Sequence, residues 1–118
     1  VTDKIVMLDS LDMSLGTIVE LLQRFNTHCN LSRAAAVVFS SLAERTDRAD
    51  LLYPELRDPD QVRNFLREVS ELLGEGLPLF HGFPAGHCAY KLTLPIGITA
   101  SIVVGTGELL LAESPYQQ

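Results

Sequence analysis

The residues best suited to chemistry are two His-Cys dipeptides, His28-Cys29 and His87-Cys88, with His81 six residues ahead of His87. Neutral imidazole and thiolate are good zinc ligands. The C-x2-C and H-x3-H spacings that carry such sites are absent, however. Adjacent side chains of a strand also point to opposite faces, so His87 and Cys88 would not share one ion there. A Cys–His nucleophilic pair is the second chemistry available. His81 or His87 could deprotonate Cys88, with a third group orienting the base. Cys88 lies on the apolar side of an alternating run, which is the setting of an inert core thiol. His81, His87 and Cys88 therefore stand as candidate catalytic or metal-ligating residues, against a reading as loop histidines and a buried thiol.

Other short motifs carry less. No G-x-S-x-G is present, and the serines lie at caps or in apolar runs. Gly105-Thr106-Gly107 precedes a strand pattern and no lysine follows it, so it reads as a hairpin turn and not a phosphate loop. Asp9-Ser10-Leu11-Asp12 is similar to the D-S-L attachment motif of acyl carrier proteins. In that family a full helix precedes the serine, whereas here only nine residues do. No cofactor is expected.

The elements that must position these residues fall on two sides of a break in charge. Ala43 to Glu75 carries fourteen charged side chains in 33 residues, whereas Gly76 to Gln118 carries three in 43: Lys91, Glu108 and Glu113. Leu11, Leu15, Ile18, Leu22, Phe25 and Cys29 share one helical face at 4-3-4-3-4 spacing, and Thr17-Ile18-Val19-Glu20 has the form of a capping box. Residues 31–45 are open to helix or strand, with a strand at about 34–40 preferred. Asp58-Pro59-Asp60-Gln61 opens a second helix, whose apolar face is Val62, Phe65, Leu66, Val69, Leu72 and Leu73. Gly74 or Gly76 stops it. Short strands are expected around Ala49 to Tyr53, over Leu77 to His81, Cys88 to Leu94 and Ile98 to Val104, and at Leu109 to Leu111. Residues 113–118 read as a loose tail on a single domain spanning 1–118.

Net charge is -6, with no clustered basic patch. That disfavours a nucleic-acid backbone and an anionic membrane surface. The longest uncharged apolar stretch, Leu92 to Gly107, is broken by Pro95, Gly97 and Gly105 and is too short for the roughly 18 to 20 residues of a membrane span. The start, Val1-Thr2-Asp3-Lys4, leads into only four apolar residues, so no signal peptide is expected. With two cysteines and no disulfide framework, the expectation is a cytoplasmic protein without membrane insertion.

The order helix, strand, strand, helix and then three or four strands resembles the small α/β regulatory modules of the roadblock/longin type and the related profilin-like, GAF and PAS group. Ile96-Gly97-Ile98-Thr99-Ala100-Ser101 is also similar to the M-G-V-x-A-S run that follows the chromophore cysteine of phytochrome-type GAF domains, although here a histidine precedes the cysteine. The resemblance implies an α+β fold: a single antiparallel sheet of about four to five strands covered by two to three helices. It implies a non-enzymatic regulatory or scaffolding module acting through homodimerisation and protein–protein contacts, with a small GTPase or signalling protein as partner. The helical stripe reads either as ordinary core packing or as a seam with a second subunit, and Leu11, Leu15, Ile18, Leu22 and Phe25 are the candidate interface. The alternatives are a GAF/PAS-like small-molecule sensor and a small metal- or Cys/His-dependent enzyme.

Overall fold

The computed structural model describes residues 1–9, 13–40, 42, 58–83 and 95–112. In chain order its elements are β1 (Ile5–Leu8), α1 (Leu15–Cys29), β2 (Ala36–Ser40), α2 (Pro59–Leu73), β3 (Leu79–Phe83), β4 (Ala100–Val103) and β5 (Glu108–Leu111), with a 3-10 turn at Leu31–Arg33. β1, β2 and β3 form a parallel sheet in that order, and β4 and β5 form a separate antiparallel hairpin.

This corrects the expected single antiparallel sheet. Each of the first two strands is followed by a 15-residue helix that carries the chain back for a parallel neighbour. β2 is buried at all five positions because both of its faces are covered, which is the condition of an interior parallel strand. The strand preferred over 34–40 is found at Ala36–Ser40. Ile5–Leu8, read from sequence only as a short apolar run, is the strand that turns helix–strand into strand–helix–strand. The strands expected around Ala49–Tyr53 and over Cys88–Leu94, and the tail at 113–118, lie outside the described residues.

Local signals set the helix ends. α1 starts at Ser14, three residues before the Thr17–Glu20 box, with the Ser14 hydroxyl accepting from the Thr17 backbone N–H at 3.2 Å. Asp58 caps α2, its carboxylate accepting from the Asp60 N–H at 2.9 Å, and Pro59 takes the first helical position. The Gly74 N–H closes α2 onto the Ser70 carbonyl at 2.8 Å.

The core lies between the helices and one face of the sheet. Val37 and Phe39 of β2 meet Ile18 and Leu22 of α1 and Val62, Phe65, Val69 and Leu73 of α2. The Phe39 and Phe65 rings pack edge to face with centroids 5.3 Å apart. Along each strand the alternate residues, Ile5, Met7, Val38 and Phe80, face the other way, toward Ala100, Ile102, Leu109 and Leu111 of the hairpin. The Gly105-Thr106-Gly107 turn closes that hairpin, with the Gly107 N–H donating to the Val103 carbonyl at 2.7 Å. Among the described residues, no helix is long and apolar enough to cross a membrane.

Candidate functional site

In an open parallel sheet, ligands collect in the crevice beyond the carboxyl ends of the strands. Here two apolar runs end in polar residues at that edge. Ile5-Val6-Met7-Leu8 is followed by Asp9, and Ala36-Val37-Val38-Phe39 ends in Ser40. The parallel register pairs Leu8 with Phe39, which brings Asp9 and Ser40 side by side one step further on. Both lie on the face opposite the helices, in line with Met7 and Val38. The Ser40 hydroxyl donates to Asp9 Oδ1 at 2.9 Å. Ser40 is 4% exposed, so this bond satisfies a hydroxyl that water scarcely reaches.

Beneath the pair, a cleft of about 380 Å³ separates the sheet from the hairpin. Its walls are apolar, chiefly Met7, Val38 and Phe80 against Ile102 and Leu109, with His81 and Thr106 as polar members. β3 carries one extra residue at this end. Val38 pairs with Phe80 and Ser40 with Phe83, so Phe39 alone stands opposite His81 and Gly82. Gly82 takes φ 76°, a left-handed conformation that suits glycine at such an irregularity.

The residues singled out from sequence are distributed unevenly about this edge. His81 is exposed on β3 and lines the cleft, whereas His87 and Cys88 lie outside the described residues. His28-Cys29 ends α1 at the opposite, amino edge of the sheet, where the chain's amino terminus donates to the Cys29 carbonyl at 3.5 Å. Among the described residues, no group of three or more His, Cys, Asp or Glu side chains is placed to hold a metal ion. Of the expected interface stripe, Ile18 and Leu22 are in the core and Leu15 packs against it. Phe25 is 49% exposed, and Leu11 lies outside the described residues.

The sequence reading did not single out Ser40, and it met Asp9 only within the D-S-L motif. A polar residue closing each of two apolar runs is a usable signal once those runs are known to be parallel neighbours. Ser40 is buried and already donates its proton to Asp9. The pair is therefore suited to orienting another group and not to nucleophilic attack.

The family model described as the LD-carboxypeptidase C-terminal domain matches residues 1–102, and the chain belongs to that family. Comparison with curated proteins and with solved structures gives no significant match. Membership overturns the resemblance to roadblock/longin and GAF/PAS modules, and with it the regulatory, scaffolding and sensor readings. The physical reason is the one that governs the fold. Those modules were suggested by element order alone, and the unrecognised β1 changes that order.

Proposed function

We propose that the chain works as the C-terminal domain of an LD-carboxypeptidase, an enzyme that releases a C-terminal residue across a peptide bond between an L and a D centre. The family match over residues 1–102 carries this reading. Peptide hydrolysis of the nucleophilic kind needs a nucleophile, a base and a group that orients the base. Asp9 suits the third role, because it presents a carboxylate at the carboxyl edge of the sheet. The base is then sought among the histidines near that edge in fold or in sequence. His28 is at the opposite edge, whereas His81 belongs to β3 and His87 follows Phe83 by four residues in the sequence. We assign His87 as the base and His81 as its alternative. Ser40 is buried and engaged, so the nucleophile is a different residue.

The test uses the full protein that contains this chain. Mass spectrometry follows release of the C-terminal residue from a peptide ending in an L–D bond, with the all-L peptide as control. Cleavage of the L–D peptide alone is expected. Asp9→Asn and His87→Ala should each lower kcat by about two orders of magnitude or more. No cleavage, or equal cleavage of both peptides, overturns the reading. Cleavage untouched by Asp9→Asn removes the sheet edge from it. Two further expectations travel with this proposal. One is a cytoplasmic location, tested by fractionation. The other is self-association through exposed apolar side chains such as Phe25, Val103 and Leu110, tested by sedimentation.

A further inference from the structure

We propose that Ser40 is a positioning residue whose buried hydroxyl holds the Asp9 carboxylate in the orientation that the reaction uses. The inference rests on the reading of the chain as an LD-carboxypeptidase domain with Asp9 at its working edge. Its ground is the placement of a hydroxyl where none is needed for packing. β2 reads Ala36-Val37-Val38-Phe39 and then Ser40, all five buried, and Ser40 is the buried polar side chain among the described residues. An alanine there would continue the apolar strand without asking for a partner. The serine asks for one, and Asp9 Oδ1 supplies it at 2.9 Å.

The two partners sit at the ends of neighbouring strands. Ser40 is fixed by a strand whose Val38 and Phe39 are 3% and 1% exposed. Asp9 stands one residue beyond the end of β1. A hydrogen bond from a fixed donor favours the Asp9 rotamer that it reaches. A carboxylate offers about four acceptor sites, and Ser40 takes one of them. The bond also links the carboxyl ends of two neighbouring strands, which ties the orientation of Asp9 to the rigid part of the sheet.

The experiment measures kcat and KM of the full protein on the L–D peptide for wild type, Ser40→Ala, Ser40→Thr, Asp9→Asn and the Ser40→Ala/Asp9→Asn double variant. Ser40→Ala should lower kcat on the order of tenfold with KM unchanged, because a charge-assisted bond is lost. Ser40→Thr, which keeps the hydroxyl, should recover most of the loss. In the Asp9→Asn background Ser40→Ala should change nothing further, since it acts through Asp9. An active wild type with Ser40→Ala within twofold of it overturns the inference. So does a double variant in which the two losses multiply. An inactive wild type instead removes the reading beneath it, which is a separate outcome. If Ser40→Ala does not fold, Ser40→Cys keeps the volume with a weak donor and gives the same kcat test.

Discussion

Phe65→Ala tests whether the two helices and the sheet share one core. Phe65 is 2% exposed on the inner face of α2 and packs edge to face on Phe39 of β2. Truncating a buried phenylalanine costs about 3 to 5 kcal/mol through lost transfer energy and the cavity left behind. The aromatic contact accounts for roughly 0.5 to 1.5 kcal/mol of such a loss. A domain of this size has a total stability of about 5 to 15 kcal/mol, so the variant should lose roughly a fifth of it or more. The chain has no tryptophan, which makes far-UV circular dichroism the natural probe of a urea titration. The midpoint should fall sharply while the slope stays the same, because the folded state remains as compact. Leu66→Ala, one residue along and only partly buried, should cost markedly less. A Phe65→Ala loss below about 1.5 kcal/mol, or a Leu66→Ala loss as large, would refute the packing of α2 on β2 described above.

Three further outcomes are expected. Asp58→Ala should cost about 1 kcal/mol in the same titration, through the bond to the Asp60 N–H, and no change would mean the cap is idle. Gly107→Ala should cost about 1 to 2 kcal/mol because φ is 71° there, and the ring atoms of Phe80 that a Cβ would meet at 3.9 Å add no clash. Gly105→Ala, with no atom within 4 Å of its Cβ position, is the control and should lie within about 0.5 kcal/mol of wild type. Cys29 is exposed at the end of α1, so it should react quickly with a thiol reagent in the folded protein; protection until unfolding would place it back in the core.

Elements with strong local signals were legible in the sequence. Asp58-Pro59 and the apolar face through Leu73 specify α2 without help from the rest of the chain, and the burial of Val62, Phe65, Val69 and Leu73 follows the spacing. The hairpin turn was legible for a similar reason, since Gly105-Thr106-Gly107 lies between two apolar runs. The direction of the sheet was not. A four-residue strand such as Ile5–Leu8 has no periodicity long enough to distinguish it, and its parallel partner lies 31 positions away along the register. Pairing of that kind is set by tertiary packing and leaves only a continuous apolar run as a trace. The helical stripe shows a different limit of a local signal. Its spacing is regular from Leu11 to Cys29, but Ile18 and Leu22 reach the core while Phe25 and Cys29 run past its edge. Periodicity identifies a face without telling where the neighbouring element stops.

The candidate site was the least legible part because it depends on that missing direction. As long as β2 is taken for a member of an antiparallel sheet, Ser40 is one more serine in an apolar run and Asp9 is a charge near the start of the chain. With β1 and β2 parallel and in register, Ser40 becomes the last residue of β2 and Asp9 the first residue past β1, at the same edge and on the same face. The His-Cys dipeptides lead to His87 but not to Asp9 or Ser40, because histidine and cysteine signal chemistry by themselves. Serine and aspartate do so only by placement. The same topology divides the histidines: it sets His28 at the amino edge and leaves His81 and His87 as the imidazoles to be tried against Asp9. The bond between Ser40 and Asp9 thus gives the peptidase reading a place in the fold. It is also where that reading is most exposed to refutation, since a single hydroxyl can be removed from Ser40 and returned as threonine while the strand around it stays apolar.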